Sequence, residues 1–537
     1  MKNTSYRARA LACALLATTA YCGLTAPAHA QTAGSGAPPK YDNADENGVD
    51  LVTGKISLSI DEASIGDDNG GLSFTEFWAQ DAGWVDNWSG GMYDRTVGSQ
   101  TITHVQLGDI SDTFIKSGTA YVSEKANGGT LTTAADGNYL YTASDGTRIT
   151  FLNSGAERFS YTCPGADTSK CNIPLSITRP DGMTVKLSWD RAEVCRDLPG
   201  EPCASTTAYY RFAGATSSAG FLFTVNYAVA DAGGGEPSEG WYQRTGIQFG
   251  NMVSSCGTSC PSVSYAGSGP GLNVITDALG REMRVSTGSY GPTAVRRPGS
   301  TTDTTTIAYA ADGTVSSVTR DGVTTGYSRV VSGNVATTTI TNALNHTRVV
   351  TSDLSLGRVT SIQDELGRTT SSQHDANGRP TRITAPEGNS VQYSYDPRGN
   401  VTETRAVAKP GSGLPDLVSS AVFPQSCDNR KICNKPLSTT DARGNTTDFS
   451  YDPIHGGITS VTAPAASPVD FRPQTRISYA PTTSPLAIIP PYGCRPSPPP
   501  AKRDRGAQER RTRSNPRSPT ARTCCVPKCR AARATAA

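Results

Sequence analysis

Four histidines follow the N-terminal segment: His104, His346, His374 and His455. No two stand at metal-ligand spacing, and no zinc-protease helix motif, Gly-x-Ser-x-Gly elbow or phosphate-cradling glycine loop occurs. His374 precedes a turn at Asp375 and reads as a strand residue rather than a base. Asn43-Ala44-Asp45-Glu46-Asn47-Gly48 resembles the start of a calcium loop, but Gly54 stands at the twelfth position, where a bidentate Glu is required. A structural turn is the expectation there. Trp78, Trp84 and Trp88 lie near Tyr93. Exposed, such rings would suit a sugar; packed, they would be the core of a β domain, which is the expected role. Eight cysteines fall into four close pairs: Cys163/Cys171, Cys195/Cys203, Cys256/Cys260 and Cys427/Cys433. In an oxidising compartment this spacing predicts local disulfides. A zinc site would need the fold to bring two pairs together. No catalytic, cofactor-binding or metal-binding residue emerges, so a non-enzymatic chain without a cofactor is expected.

The elements that must position these residues are strands and turns. Only 36% of the chain is hydrophobic, while glycine (54) and proline (35) are abundant. That balance favours a turn-rich β architecture over a helical one. At 537 residues, more than one structural unit is expected. Lys55-Ile56-Ser57-Leu58-Ser59-Ile60 and Thr184-Val185-Lys186-Leu187-Ser188-Trp189 alternate polar and apolar residues. Asp-Gly pairs at 136–137, 145–146 and 181–182 supply hairpin turns, since glycine takes positive φ without steric cost.

The N-terminus sets the compartment. Lys2, Arg7 and Arg9 precede an apolar run from Leu11 to Leu24, and Ala28-His29-Ala30 forms a small-x-small cleavage site. Residues 1–30 therefore read as a signal peptide, with export to the periplasm, the cell surface or the medium. The run is too short for a transmembrane anchor, and no later stretch is long and apolar enough to span a bilayer. Net charge is uneven. Residues 494–537 hold 12 Lys/Arg against Asp504 and Glu509, whereas residues 31–493 hold 34 basic and 45 acidic residues. An acidic body argues against nucleic acid as a partner.

A repeat emerges after residue 270. Asp277-Ala278-Leu279-Gly280-Arg281 is echoed by Asp364-Glu365-Leu366-Gly367-Arg368 and by Asp375-Ala376-Asn377-Gly378-Arg379. Asp396-Pro397-Arg398-Gly399-Asn400 and Asp441-Ala442-Arg443-Gly444-Asn445 are variants. Glycines at 357, 367, 378, 388 and 399 step by 10 or 11, so two hairpin halves make a period near 21. Asn345 stands in a glycine position; Asn is the best non-glycine residue for a left-handed turn. Asp opens each turn by bonding the backbone two residues on, and about five or six residues remain for each strand. One hairpin cannot bury a face alone, so neighbours must pair edge to edge.

Tyr395-Asp396-Pro397-Arg398-Gly399-Asn400-Val401-Thr402 and Tyr451-Asp452-Pro453 with Ile458-Thr459-Ser460-Val461-Thr462 resemble the rearrangement-hotspot (Rhs), or YD-repeat, family. Asn47 to Lys55 resembles the region preceding the repeats in secreted members. The resemblance implies an all-β fold, in which an array of short antiparallel hairpins winds into a spiral sheet that encloses a hollow shell. Bacterial toxins, wall-associated proteins and animal adhesion proteins share the repeat, so the resemblance marks an architecture rather than a function; in the toxins an autocleavage segment and an effector domain follow the repeats. No such effector, nor its autocleavage segment, is visible here.

Four segments result: the signal peptide (1–30), a β-rich region with local disulfides (31–270), the repeats (271–480) and a basic tail (481–537). Residues 403–440 interrupt the period and read as a disulfide-pinned loop projecting from the array. The tail lacks periodicity and reads as disordered, as a basic arm, or as out-of-frame translation that truncates a longer repeat protein. A secreted scaffold or shell without its effector is the leading expectation. The alternative is an adhesion protein that binds carbohydrate or a cell-surface protein.

Overall fold

Every second residue of a half-covered strand must be apolar, and the pleat then sorts the two kinds onto opposite faces. The computed structural model carries out that sorting along most of the chain. It describes residues 43–479 except 67–69, 80–82, 109, 125–128, 154–157, 161–170, 196–205, 233–235, 253–259, 267–273 and 468–470, together with 533–535.

One antiparallel ladder dominates. It starts at Thr130–Thr133 and runs, each strand bonded to the next, through the repeats to Gln474–Arg476. One addition lies outside this order: Arg158–Ser160 pairs parallel with Thr207–Tyr209. The architecture is all-β, an open sheet of short hairpins, as the alternation predicts. Glu239–Tyr242 is the one helix among the described residues.

Registers trace each face across the sheet. Directly opposed residues share a side, and one side carries Tyr327 with Ile340, Val350 with Ile362, Ile383 with Val391, and Phe449 with Val461. The other side carries Ser361 with Ser371, Arg382 with Gln392, and Ser420 with Thr440. The sheet is thus amphipathic from its covered start to its last hairpin.

Residues 43–88 lie across the apolar side of the first half. Within them Ser59–Ile65, Leu72–Ala79 and Gly83–Asp86 form a small antiparallel sheet. Leu58, Ile60, Leu72 and Phe74 share one core with Phe223, Ile247, Ile275 and Val350. A separate meander, Gly90–Val97, Gln100–Leu107, Ile110–Ser117 and Ala120–Ser123, packs Met92 and Phe114 against Tyr141, Ile149 and Phe151.

One expectation needs correction. Residues 403–440 do not project as one loop. Val401–Val407, Leu417–Val422 and Ser438–Thr440 continue the ladder, because their alternation satisfies the pleat. Residues 408–416 close one hairpin, and 423–437 leave the ladder and fold back onto neighbouring turns. Within the stretch expected to be disordered, Arg533–Thr535 pairs with Ser59–Asp61; residues 480–532 and 536–537 lie outside the described residues.

Candidate functional site

The repeat turns are built alike. At Asp277 one carboxylate oxygen accepts the Leu279 and Arg281 N–H groups at 2.9 and 3.0 Å, and the other accepts Arg281 Nε at 2.9 Å. The Gly280 N–H donates to the Asp277 carbonyl. Asp364 and Asp375 repeat this with Arg368 and Arg379, and Asp396 and Asp441 with Asn400 and Asn445. Gly280, Gly367, Gly378, Gly399 and Gly444 all have positive φ, and so does Asn345, at 61°. Burial raises the Asp277 carboxyl, but the Arg281 side chain and the turn N–H groups outweigh it and hold it below the usual range. Each of these carboxylates is committed to its own turn.

The repeat tyrosines do a different job. Tyr395 donates its hydroxyl to the Pro380 carbonyl (2.8 Å), and Tyr451 donates to the Pro436 carbonyl (2.8 Å). The residue before each proline is a cation over the tyrosine ring: Arg379 at 4.6 Å and Lys435 at 5.6 Å. Arg211, Phe212 and Tyr227 reproduce the arrangement in the first half, with Arg211 4.1 Å from the ring centre. Basic residue, accepting carbonyl and tyrosine recur at positions i, i+1 and i+16. That spacing is readable in the sequence, although the turn cassette hides it. Beside Tyr451, Asp452 accepts the Ile454 and His455 N–H groups.

The cysteines are only partly in view. Cys427 and Cys433 are joined, with Cα atoms 5.0 Å apart. Cys171, Cys195 and Cys260 are also disulfide-bonded, while Cys163, Cys203 and Cys256 lie outside the described residues.

The N-terminal layer brings together groups that no motif announces. Glu62 and Glu76, both fully buried, meet Arg244, Asp86 and Tyr265. Arg244 bonds Glu76 and, at 3.0 Å, Asp86; the Tyr265 hydroxyl bonds Glu62. One guanidinium faces three carboxyls. Burial pushes Glu62 well above the ordinary carboxylate range, the charge of Glu76 adds to that, and Arg244 opposes it. Glu76 is raised too, mainly by burial. One oxygen of each glutamate has no hydrogen-bond partner. This is a buried acidic seam between layer and sheet, closed by one guanidinium.

Nearer the N-terminus, Asp45 accepts the Asn47 and Val49 N–H groups and the Tyr327 hydroxyl (2.6 Å). The loop with a calcium-like start therefore closes on its own backbone and a tyrosine. Trp88 is buried, and Trp78 and Trp84 pack against the same core. Trp84 donates to Thr287. His104 stacks on Tyr93, and His455 lies 3.3 Å from Asp452. Among the described residues no group of three His, Cys, Asp or Glu could hold a metal ion, and no helix is long and apolar enough to cross a membrane.

No curated protein matches the chain in sequence. Among solved structures, the TcdB2-TccC3 complex is 11% identical, with 70% of this chain and 22% of that chain covered and a TM-score of 0.35. TcdB2-TccC3 with Cdc42 is 12% identical, with the same coverages and a TM-score of 0.36. A Photorhabdus luminescens Tc holotoxin pore is 11% identical over 75% of this chain and 22% of that one, at 0.31. The chain thus spans less than a quarter of the length of those chains. The profile of the RHS repeat family matches residues 354–390 and 374–408. Those residues hold the turns at Asp364, Asp375 and Asp396 and the Tyr395 clamp just described, and over this stretch the chain carries RHS repeats.

Proposed function

We propose that the chain is an exported, non-enzymatic scaffold forming part of a shell wall, and that a polypeptide, such as an effector domain, is its natural cargo. One observation carries this reading. The apolar side of the sheet is sealed by residues 43–88 over its first half and continues, half-exposed, through Ile362, Ile383, Val391, Tyr393 and Phe449. Soluble proteins rarely leave so long an apolar face without a partner. Apart from Val418 and Val422, the opposite face of the later strands is largely serine, threonine, glutamine, glutamate and arginine, as suits a wall in contact with water. The turn carboxylates are spent on turn geometry, which fits a structural role. Export rests on the signal-like residues 1–30.

A photo-crosslinking residue placed at Ile383 in the full chain, expressed in its native host, tests the proposal. Capture of a defined polypeptide from Ile383, with none from Gln392 on the opposite face, is expected. Equal capture from both positions would sink it. A glycan array probed with the same full chain separates the adhesion alternative: reproducible glycan binding without cargo capture would favour adhesion.

A further inference from the structure

We infer that the Cys427–Cys433 loop is a redox-gated clasp, which ties the late repeats back onto a hairpin of the early sheet. The loop sits where three turns meet. Asn434, next to Cys433, accepts Arg398 Nε and Asn400 Nδ2, each at 3.1 Å, and donates to the Ser144 carbonyl at 2.5 Å. Ser144 and Asn434 are 290 residues apart in sequence. Gly146 lies so close to the loop that a Cβ there would be 3.0 Å from Lys431 Cα and 3.1 Å from the Arg430 oxygen. On the other flank Asn429 donates to the Pro453 carbonyl at 2.7 Å, and Lys435 to the Gly456 carbonyl at 2.5 Å. Lys431 bonds the Ile454 carbonyl. Arg398 also holds the Gln425 and Cys433 carbonyls.

Most of these bonds end on backbone carbonyls, so they require the loop to hold one shape. The segment has little apolar anchorage, chiefly Phe423, Cys433 and Pro436. A short covalent ring removes much of the freedom an open loop would have to lose on docking. Cys433 is buried, whereas Cys427 is half-exposed and within reach of an external thiol. Closure forms the Sγ–Sγ bond. Each thiol gives up a proton, and two electrons pass to the disulfide of an external thiol oxidant, which leaves as a dithiol. A reducing cytosol would keep the clasp open, so the late repeats would lock onto the early sheet only in an oxidising compartment.

The test uses the full chain and amide hydrogen exchange at Gly146 and Gly456, whose N–H groups donate to Ala143 and Asp452 within the two clasped turns. In Cys427→Ser/Cys433→Ser, exchange at both turns should rise on the order of tenfold or more over the oxidised protein. Asn434→Ala, which leaves the disulfide intact, should raise exchange at Gly146. A phosphine reductant should move the unmodified chain toward the double variant and leave that variant's two turns unchanged. Increased exchange confined to residues 427–433 would overturn the clasp, as would an unchanged Gly146 in Asn434→Ala. If the double variant fails to fold, Asn434→Ala and reduction of the unmodified chain decide the matter.

Discussion

The two halves of the sheet are made of the same kind of strand, yet they are stabilised differently. Between Thr184 and Asp353 the apolar face is sealed by the N-terminal layer, and Val285, Ile307, Val318, Ile340 and Val350 are almost wholly buried. Between Arg358 and Thr462 the equivalent Ile362, Ile383, Val391 and Val461 are only half-buried. The second half must therefore rely on ladder hydrogen bonds, turn chemistry and side-chain clamps, each small in net contribution. A repeat can thus specify a strand without specifying a core, because the core depends on what is laid across the face.

The sharpest way to break this comparison is to delete one ring from each half. Phe74 is fully buried and meets Phe223 edge-on at 5.8 Å. Phe74→Ala should cost about 3–5 kcal/mol, the usual range for emptying a ring-sized site. Phe449→Ala, on the open face, should cost clearly less, since much of its surface already meets water. Urea unfolding of the full chain, followed by tryptophan fluorescence and by far-ultraviolet dichroism, measures both. Equal losses would show that the open face is covered in solution.

Acid–base linkage should also divide the halves. Folding holds Glu62 protonated above the pH at which the unfolded chain releases that proton, because burial and then the charge of Glu76 raise it, against Arg244 and Tyr265. Its contribution is therefore complete below the ordinary carboxylate range and is lost as pH rises through the folded value. Within that window each pH unit should cost about 1.4 kcal/mol per such group. Glu62→Gln should flatten the fall and make the variant the more stable form at the alkaline end. Thermal melts across pH, with hydrogen exchange in Ser59–Ile65, follow the effect. A slope unchanged by the substitution would assign it to Glu76 or elsewhere.

A smaller effect separates identical turn positions. Gly313 and Gly367 have nearly the same φ, +76° and +77°. A Cβ at Gly313 would lie 2.8 Å from the Tyr290 ring and 3.1 Å from Lys55 Nζ, whereas at Gly367 nothing lies within 4 Å. Gly367→Ala should cost about 1–2 kcal/mol from backbone strain alone. Gly313→Ala should cost more, and Gly367→Asn less, because Asn345 already occupies such a turn. Denaturant midpoints of the three variants give the order.

The turns were legible because their logic is local. Asp277, Gly280 and Arg281 satisfy one another within five residues, so spacing alone describes them. The amphipathic sheet was legible for the same reason: alternation of period two survives without knowledge of neighbours. The layer was not. Glu62 and Glu76 lie in strands where a carboxylate looks like a solvent-facing residue, and their partner Arg244 is 168 residues from Glu76. Asp45 meets Tyr327 across 282 residues. No local pattern encodes such pairings. The glycines and prolines of 403–440 suggested a projecting loop, whereas two short strands inside it satisfy the ladder.

The smallest effect tests whether the tyrosine clamp is one device working in two environments. Arg211 and Tyr227 lie in the sealed half, where the guanidinium is buried and also donates to the Trp241 carbonyl at 2.5 Å. Arg379 and Tyr395 lie in the open half, where both are half-exposed. The attraction between a cation and a ring grows when water is excluded, from about 0.5–1 kcal/mol at exposed sites to about 2 kcal/mol when desolvated. Double-mutant cycles with Arg→Met and Tyr→Leu at each pair should return the larger coupling for Arg211–Tyr227. Tyr395→Phe alone should lose only the hydrogen bond to Pro380, about 0.5–1.5 kcal/mol. A coupling as large at Arg379–Tyr395 would mean that something excludes water from the open half, and the difference between the halves would then reduce to one of occupancy rather than of construction.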